Sequence, residues 1–492
     1  MAWKTQKVAL ASMTIPDADQ ARYHQPYYLQ KVHLFAKRGK KFAYLTRQMV
    51  ALLLDDLGYA ILSQSGPVTL ASTWEKLAHR FSFPEMNSAF QTLIDWQILA
   101  SHPPVSQPSV EEETFIDEEA QNPPSEIWLS LANDCNLRCR YCSAGYGRFG
   151  GTRGLMTEKT AARAMDLLFP EDPAKQKRDF ANIIFVGGEP LMNYPVMAFA
   201  VDYAKRKAGK ANRRISFHLN TNGTLLDEKF LQLFRENDFH VVFSIDGPPA
   251  IHDASRRFID GEGSYRRVAA NFSRFIQAVG KSRRAQAVLH YGSSLRETMT
   301  HLLDLGFEEV IPNPDYSSPL TSHNSAFDAS ALEEFAQQYD DWSVENVERI
   351  LSRRWLHGNA HFLEDLRALH RRQPSRSSCG AGRSLAISAH GGIFPCQSTV
   401  ETKPFQLGDL TRGVDLELRR KFIALIENLG NKCRGCWIVG ACSRPCFQEA
   451  YSGGFLDDPE PTQRCKLYRS YFESAIYGYY LIDEAGCTEL LD

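Results

Sequence analysis

The sequence predicts an α/β fold: a parallel sheet of βα units closed into a whole or partial barrel, with a small module before it and a cysteine-dense segment after it. Three observations carry this. From Ile127 onward short apolar runs alternate with amphipathic stretches: IWLSLA, TEKTAARAMDLLF, ANIIFVGG, PVMAFAVDYAKRK, RISFHLNTNG, DEKFLQLFREN, HVVFSIDG, AQAVLHYGS, RETMTHLLDLG and EEVIPNP. The first hundred residues lack that alternation. Past Cys379 the chain turns loop-rich, with cysteine and glycine in place of apolar runs, as small units stapled by metal do.

Taken in order, YYLQKVHLFAK and KKFAYLTRQ flank RGK, which predicts two strands and a hairpin turn. STWEKLAHRF and MNSAFQTLIDWQIL place apolar residues at helical spacing. Together, residues 1–103 look like a winged-helix-like module. Neither helix is strongly basic, which puts a peptide ahead of DNA as its ligand. Residues 104–126 combine prolines with an acidic run and read as an exposed linker. The barrel is assigned to 127–345, a helical bridge to 346–375, the cysteine-dense segment to 376–470 and a C-terminal helix or tail to 471–492. Function-bearing loops of such a sheet sit at the carboxyl ends of its strands. The candidate motifs fall there: cysteines after IWLSLA, GGEP after IIFV, TNGT after SFHLN and DGPP after VFSI.

At 492 residues the chain is too long for one ordinary core, and its 43% apolar and 23% charged residues are ordinary globular usage. A net charge of -2 gives nucleic acid or an anionic membrane no general attraction. The opening residues lack a signal-peptide pattern and no apolar run reaches membrane-spanning length, so a cytoplasmic protein without a membrane partner is expected. In that reducing compartment clustered cysteines point to metal rather than disulfides. Of the eleven, three lie between 135 and 142, seven between 379 and 465, and Cys487 stands alone.

CNLRCRYC supplies Cys135, Cys139 and Cys142 at CxxxCxxC spacing. Thiolates are the usual iron–sulfur ligands, and a four-iron cluster held by three of them keeps one iron open to a small chelating molecule. Structural zinc, the alternative, needs a fourth ligand and prefers CxxC pairs. On this motif, at the end of the first barrel strand, the chain resembles the radical S-adenosylmethionine superfamily. The resemblance implies a partial (β/α)6 barrel, with Tyr141 against the adenine and Gly187, Gly188, Glu189 and Pro190 of GGEP receiving the methionine amine of the cofactor. Standing alone, GGEP is also an ordinary turn. SIDGPPAIHDASR implies Ser244 and Arg256 as contacts to the ribose or carboxylate of S-adenosylmethionine. Asn222 of TNGT is a further candidate, although TNG is a common turn. Asp246 is either a catalytic group facing substrate or a strand-end cap.

The later cysteines, Cys379, Cys396, Cys433-RG-Cys436-WIVGA-Cys442-SRP-Cys446 and Cys465, match the seven-cysteine pattern of the SPASM branch. The resemblance implies two auxiliary four-iron clusters and three [4Fe-4S] clusters in all. Cys433, Cys436, Cys442 and Cys465 hold the distal one; Cys379, Cys396 and Cys446 hold the nearer one. Paired zinc ribbons are the alternative. Some relatives add a ligand where this chain has Gln373, which leaves the nearer cluster an open iron unless Cys487 or a non-cysteine group reaches it. The sulfatase-maturating branch carries Asp after the second cysteine and Gln before GGEP; here these are Gln397 and Val186, which demotes formylglycine formation. The resemblance therefore implies a peptide or protein maturase. Its substrate is a peptide or small subunit with a leader segment, its electrons come from a flavodoxin- or ferredoxin-like reductant, and its product is a Cys thioether crosslink. Formylglycine formation, other peptide C–C crosslinking or dehydrogenation, a small-molecule radical dehydrogenase and an iron–sulfur DNA-binding regulator are the alternatives. His252, His290 and His390 are conceivable acid–base groups, though a lone histidine is more often only a hydrogen-bonded neighbour.

Overall fold

The computed structural model describes residues 23–104, 112–170, 178–281, 283–290, 292–315, 329–374, 379–431, 433, 435–442, 446–452 and 463–492. Residues 1–22 and the first part of the acidic stretch, 105–111, lie outside them.

The N-terminal module opens on a short strand β1 (Tyr28–Leu29), then β2 (Val32–Lys37), β3 (Lys40–Leu45) and β4 (Val50–Leu54) in an antiparallel sheet of order β2-β3-β4. RG makes the two-residue turn, because Lys37 pairs with Lys40 while Arg38 (φ 48) and Gly39 (φ 76) are both left-handed, as a hairpin turn twisted with its strands requires. Helices α1 (Asp56–Leu62), α2 (Leu70–Leu77) and α3 (Phe83–Asp95) follow. Asp55 caps α1, while Thr69–Ser72 and Ser82–Glu85 form capping boxes on α2 and α3. β5 (Leu99–Ala100) returns to pair with β1.

Alternation along β3 splits its side chains between two cores. Ala43 and Leu45 pack with Leu57, Ile61, Met86 and Phe90 inside the module, whereas Phe42 and Tyr44 belong to the main core. There Phe42 meets Tyr480 edge-on at 5.8 Å and Tyr44 meets Phe472 at 5.2 Å. Lys37 Nζ lies 2.8 Å from Asp340, and the turn residue Arg38 pairs with Asp340 and Asp341 at 2.9 and 2.6 Å.

The stretch expected to be an exposed linker contains a docked helix, α4 (Glu112–Gln121). Its acidic composition hid an apolar pair, Ile116 and Ala120, which packs on Ile423. Buried Arg419 then donates to the carbonyls of Ala120, Asn122, Gly382 and Arg383, closing the end of α4 onto the cysteine-bearing part.

Strands β6 (Glu126–Ala132), β7 (Phe180–Gly187), β8 (Arg214–Thr221), β9 (Phe239–Ser244), β10 (Arg284–Leu289) and β11 (Glu309–Pro314) lie side by side, all parallel. Between them run α5 (Glu158–Leu168), α6 (Tyr194–Lys210), α7 (Glu228–Asn237), α8 (Pro249–Ser255), α9 (Tyr265–Ala278) and α10 (Leu295–Leu305). Their apolar faces cover the sheet, and Phe185, Phe217, Phe239 and Phe243 are buried beneath them. This is the parallel βα succession that the sequence predicts.

After the barrel come the long α11 (Ala329–Arg353), β12 (Gly358–Asn359) and α12 (Ala360–Arg371). β13 (Leu385–Ile387) then pairs in parallel with β6, and β14 (Gly392–Phe394), β15 (Gly408–Asp409) and β16 (Gly413–Val414) extend the same sheet antiparallel. One eleven-stranded sheet therefore runs from barrel to cysteine segment. Helices α13 (Leu416–Asn431), α14 (Phe447–Ser452) and α15 (Gln463–Glu484) complete the chain. α15 is not a loose tail: Tyr471 stacks on Tyr339 of α11 at 3.7 Å. Among the described residues no helix is long and apolar enough to cross a membrane.

Candidate functional site

The loops after β6 to β9, with His290 and Asp315 directly after β10 and β11, meet at one end of the barrel. The cysteine loop and GGEP touch backbone to backbone: a Cβ on Gly188 would lie 2.1 Å from the Asp134 carbonyl oxygen, and one on Gly147 2.5 Å from Gly188 Cα. Only glycines permit that approach. The peptide N–H groups of Gly188 and Glu189 donate to the carbonyls of Ala132 and Asp134 at 2.8 and 3.0 Å, locking the two loops together. Pro190 starts a short turn of helix directly after them.

Each of the three sulfurs of the first cluster of cysteines meets N–H donors. Leu137 N is 3.4 Å and Asn222 Nδ2 3.7 Å from Cys135 Sγ; Arg256 Nη1 is 3.9 Å from Cys139 Sγ; Tyr146 N is 3.3 Å from Cys142 Sγ. Burial pushes the Cys135 thiol up to about 12, with Glu189 adding to the effect, and the Cys139 thiol to about 11. Only a strongly cationic group would ionise sulfurs so placed, and iron is such a group. Donors aimed at sulfur are what thiolate ligands of a cluster require, so the residues present fit a cluster.

Glu189 is buried, and its carboxylate accepts from Leu191 N at 2.9 Å, Thr221 Oγ1 at 2.7 Å and Asn222 N at 2.8 Å. Burial nevertheless carries it up to about 7 against those three donors. A carboxylate has about four acceptor sites, which leaves one for a cationic or N–H group. Asn222 spends its side chain inside the protein: Oδ1 accepts from Thr224, and Nδ2 reaches Asn136 and Cys135. It organises the cysteine loop instead of facing a ligand. By contrast the Ser244 hydroxyl, at the end of β9, is only half-buried.

Asp246 has no exposed surface. One oxygen takes the Tyr141 hydroxyl at 2.6 Å and Arg256 Nε at 3.0 Å; the other takes Val288 N at 3.0 Å. It stands as a positioning residue, and the strand-end alternative describes its place better than a group facing substrate. Burial opposes the charge on Arg256, but Asp246, Tyr141 and Cys139 outweigh it and hold the guanidinium protonated. That cation lies 5.3 Å above the Tyr141 ring. Behind it, His252 Nδ1 accepts from Asp246 N at 3.2 Å, so Nε2 carries the proton and donates to Ser264 Oγ at 2.9 Å, and Ser264 donates to the Arg256 carbonyl. Burial holds His252 down to about 4, hence neutral.

Tyr141 also faces His290, ring centres 5.2 Å apart. His290 Nδ1 is 3.0 Å from Asp315 Oδ2, and Nε2 is 2.7 Å from Ser255 Oγ. Asp315, one residue past β11, had no sequence signal beyond its place at a strand end.

The later cysteines are held by other means. Cys396 follows β14 after Pro395; burial raises its thiol, and neighbouring Cys379 adds to this. Asn133, two residues before Cys135, donates to Glu401 at 3.1 Å, tying the first cysteine loop to the Cys396 turn. Cys436 Sγ accepts from Arg469 of α15, one helical turn beyond Cys465, at 3.6 Å. Trp437 stacks on His33 of β2 at 3.6 Å, which joins the N-terminal sheet to this loop. Cys487 lies near Arg354 and the Ala485 carbonyl. No two of the eleven cysteines form a disulfide.

Residues 129–305 match the Radical SAM superfamily, and that part of the chain is a radical S-adenosylmethionine domain. S-adenosylmethionine and a four-iron cluster are the cofactors of that class. More particularly, the chain is homologous to anaerobic sulfatase maturases. It is 24% identical over 373 residues to the cysteine-type anaerobic sulfatase-maturating enzyme of Clostridium novyi (strain NT), covering 70% of this chain and 93% of that one. To the serine-type anaerobic sulfatase-maturating enzyme of Bacteroides thetaiotaomicron it is 23% identical over 372 residues, covering 69% and 86%. Its fold is that of native anSMEcpe solved with bound AdoMet and the Cp18Cys peptide, with a TM-score of 0.61, 20% identity, and 74% and 99% of the two chains covered.

Proposed function

We propose that this protein is a peptide or protein maturase that forms a thioether between a substrate cysteine and an unactivated carbon. The observation that carries the radical half is the set of N–H donors on Cys135, Cys139 and Cys142, locked against GGEP at the catalytic end of the barrel. A reduced cluster held by Cys135, Cys139 and Cys142 would supply the electron for reductive cleavage of S-adenosylmethionine, the source of the hydrogen-abstracting power. Around it Glu189 offers its remaining acceptor site to the methionine amine, while Gly187 and Gly188 let the backbone approach. Arg256 and Ser244 hold the carboxylate or ribose, and Tyr141 supplies the aromatic face. Asp246 and Asn222 position these groups and Pro190 shapes their turn. Cys433, Cys436, Cys442 and Cys465 would hold one auxiliary cluster and Cys379, Cys396 and Cys446 another; with Gln373 where some relatives place a further cysteine, the second would keep an open position for a substrate thiolate.

Support for a peptide substrate comes from the relatives named as sulfatase-maturating enzymes and from the N-terminal module. Among the described residues β4 is an edge of its sheet, paired with β3 alone, and an extended leader can add there as a further strand. A flavodoxin- or ferredoxin-like reductant is the expected electron donor. Formylglycine formation on a sulfatase is the second reading, favoured by those same relatives and opposed by Val186 and Gln397.

The test is anaerobic incubation of the reconstituted, reduced protein with short cysteine-bearing proteins encoded beside its gene. The expected result is 5'-deoxyadenosine formation that rises with one of them, together with loss of two hydrogens per crosslink. Conversion of a sulfatase cysteine or serine to an aldehyde would establish the second reading. A fully iron-loaded protein that never cleaves S-adenosylmethionine would end both.

A further inference from the structure

We propose that His290, oriented by Asp315, is the base that takes the proton from the substrate as its new bond forms. This deepens the maturase reading and rests on it. Removing two hydrogens while joining a thiol to a carbon requires three acceptors. The C–H hydrogen atom goes to the 5'-deoxyadenosyl radical. The S–H proton needs a base. The thiolate pair and the unpaired carbon electron make the two-electron C–S bond with one electron left over, which passes to an oxidised iron–sulfur cluster.

The groups around Tyr141 narrow the choice of base. Asp246 already accepts from Tyr141, Arg256 and Val288 N and has no exposed surface through which a substrate could reach it. Both ring nitrogens of His252 are committed to Asp246 N and Ser264, and its ring is fully buried. Arg256 is a cation held by its neighbours. His290, although both its ring nitrogens also have partners, differs in its exposure and in the neutral hydroxyl at Nε2. Its side chain keeps 19% of its surface exposed, beside the Tyr141 ring at 5.2 Å. Asp315 is 94% buried and sits 3.0 Å from Nδ1, which fixes the tautomer with the proton on Nδ1 and the lone pair on Nε2. Nε2 at present takes the Ser255 hydroxyl at 2.7 Å, a neutral donor that a substrate thiol can replace. Once Nε2 is protonated, the buried Asp315 carboxylate stabilises the imidazolium, as the orienting acid of a Ser-His-Asp arrangement does. Ser255 itself is 3% exposed, so the same trio is no acyl-transfer site, and its hydroxyl has to turn away from Nε2 before a substrate thiol takes its place.

The experiment uses the cluster-loaded full chain, the wild type and His290→Asn, His290→Gln and Asp315→Asn variants, with the cysteine-bearing proteins encoded beside the gene carrying deuterium at carbon. Crosslink and 5'-deoxyadenosine are counted in the same reaction, with binding of S-adenosylmethionine measured alongside. The expected result is that deuterium still enters 5'-deoxyadenosine in the His290 variants while crosslink per 5'-deoxyadenosine falls about 100-fold, the size of a general-base contribution. Asp315→Asn falls less, and Asp315→Glu restores part of the loss. A merely structural role would lower both products together or weaken cofactor binding, and that outcome overturns the proposal. So does wild-type coupling in a His290 variant. A wild type that makes 5'-deoxyadenosine and crosslink keeps the maturase reading standing in either case; a wild type that makes neither removes that reading and the base with it.

Discussion

Replacing Asp246 by asparagine keeps its shape and removes its charge, leaving the Arg256 guanidinium buried beside a neutral amide. Arg256 keeps 9% of its side-chain surface and Asp246 none, so water cannot compensate. Breaking a buried ion pair from one side costs about 3–5 kcal/mol. For a unit the size of the barrel that is on the order of 10 °C in the unfolding midpoint. Tyr141 loses a charged acceptor for its hydroxyl at the same time. Removing both charges, in Asp246→Asn with Arg256→Met, spares the orphaned cation, so the double variant should recover a large part of the loss while still failing to bind S-adenosylmethionine. Thermal unfolding of the four proteins of this cycle, with calorimetric titration of the cofactor on anaerobically loaded samples, reads both quantities. Simple additivity of the two substitutions in stability would refute the argument that the pair acts as one unit.

Further expectations follow from other sites. Gly188→Ala should prevent the cysteine and GGEP loops from meeting and abolish cluster absorbance after reconstitution, whereas Gly209→Ala, with nothing within 4 Å of the added carbon, should load normally. His252 is held down to about 4 by burial, below its unfolded value near 6.5. The folded state therefore binds fewer protons between those values, and its contribution, full above 6.5, is lost as pH falls through 6.5 towards 4. About 3 kcal/mol should disappear across that window, visible in urea titrations of the wild type and reduced in His252→Gln. Arg419→Ala strands four carbonyls, at Ala120, Asn122, Gly382 and Arg383, and should expose α4 to limited proteolysis while the barrel stays resistant. Trp437→Ala removes the stack on His33 and should loosen the N-terminal module from the cysteine loop, detected as faster amide exchange in β2 with the barrel strands unchanged.

The parts legible in the sequence were those with a local period or a local spacing. The βα alternation gave the order of strands β6 to β11, and RG between lysines marked a turn that both residues satisfy with positive φ. CxxxCxxC and GGEP announced chemistry because several special residues stand within one loop. Contacts between distant segments left no such trace. Ile116 and Ala120 are two apolar residues in an acidic run, and only the far-off Ile423 gives them a purpose. Asp315 looks like any strand-end carboxylate until the sheet sets it beside His290. Asp246 showed the reverse: its position suggested exposure to substrate, and tertiary packing closed every side of it.

Because β13 is hydrogen-bonded alongside β6, the loops that carry Cys135 and Cys396 both hang from one backbone ladder. Electron tunnelling falls off steeply with separation, and enzymes whose redox centres sit on hinged domains gate it by swinging them together. With a cluster on each loop, as proposed above, the span between those two thiols would be set like marks on a ruler: changing it would require breaking strand pairing, so turnover would be timed by what enters and leaves the gap.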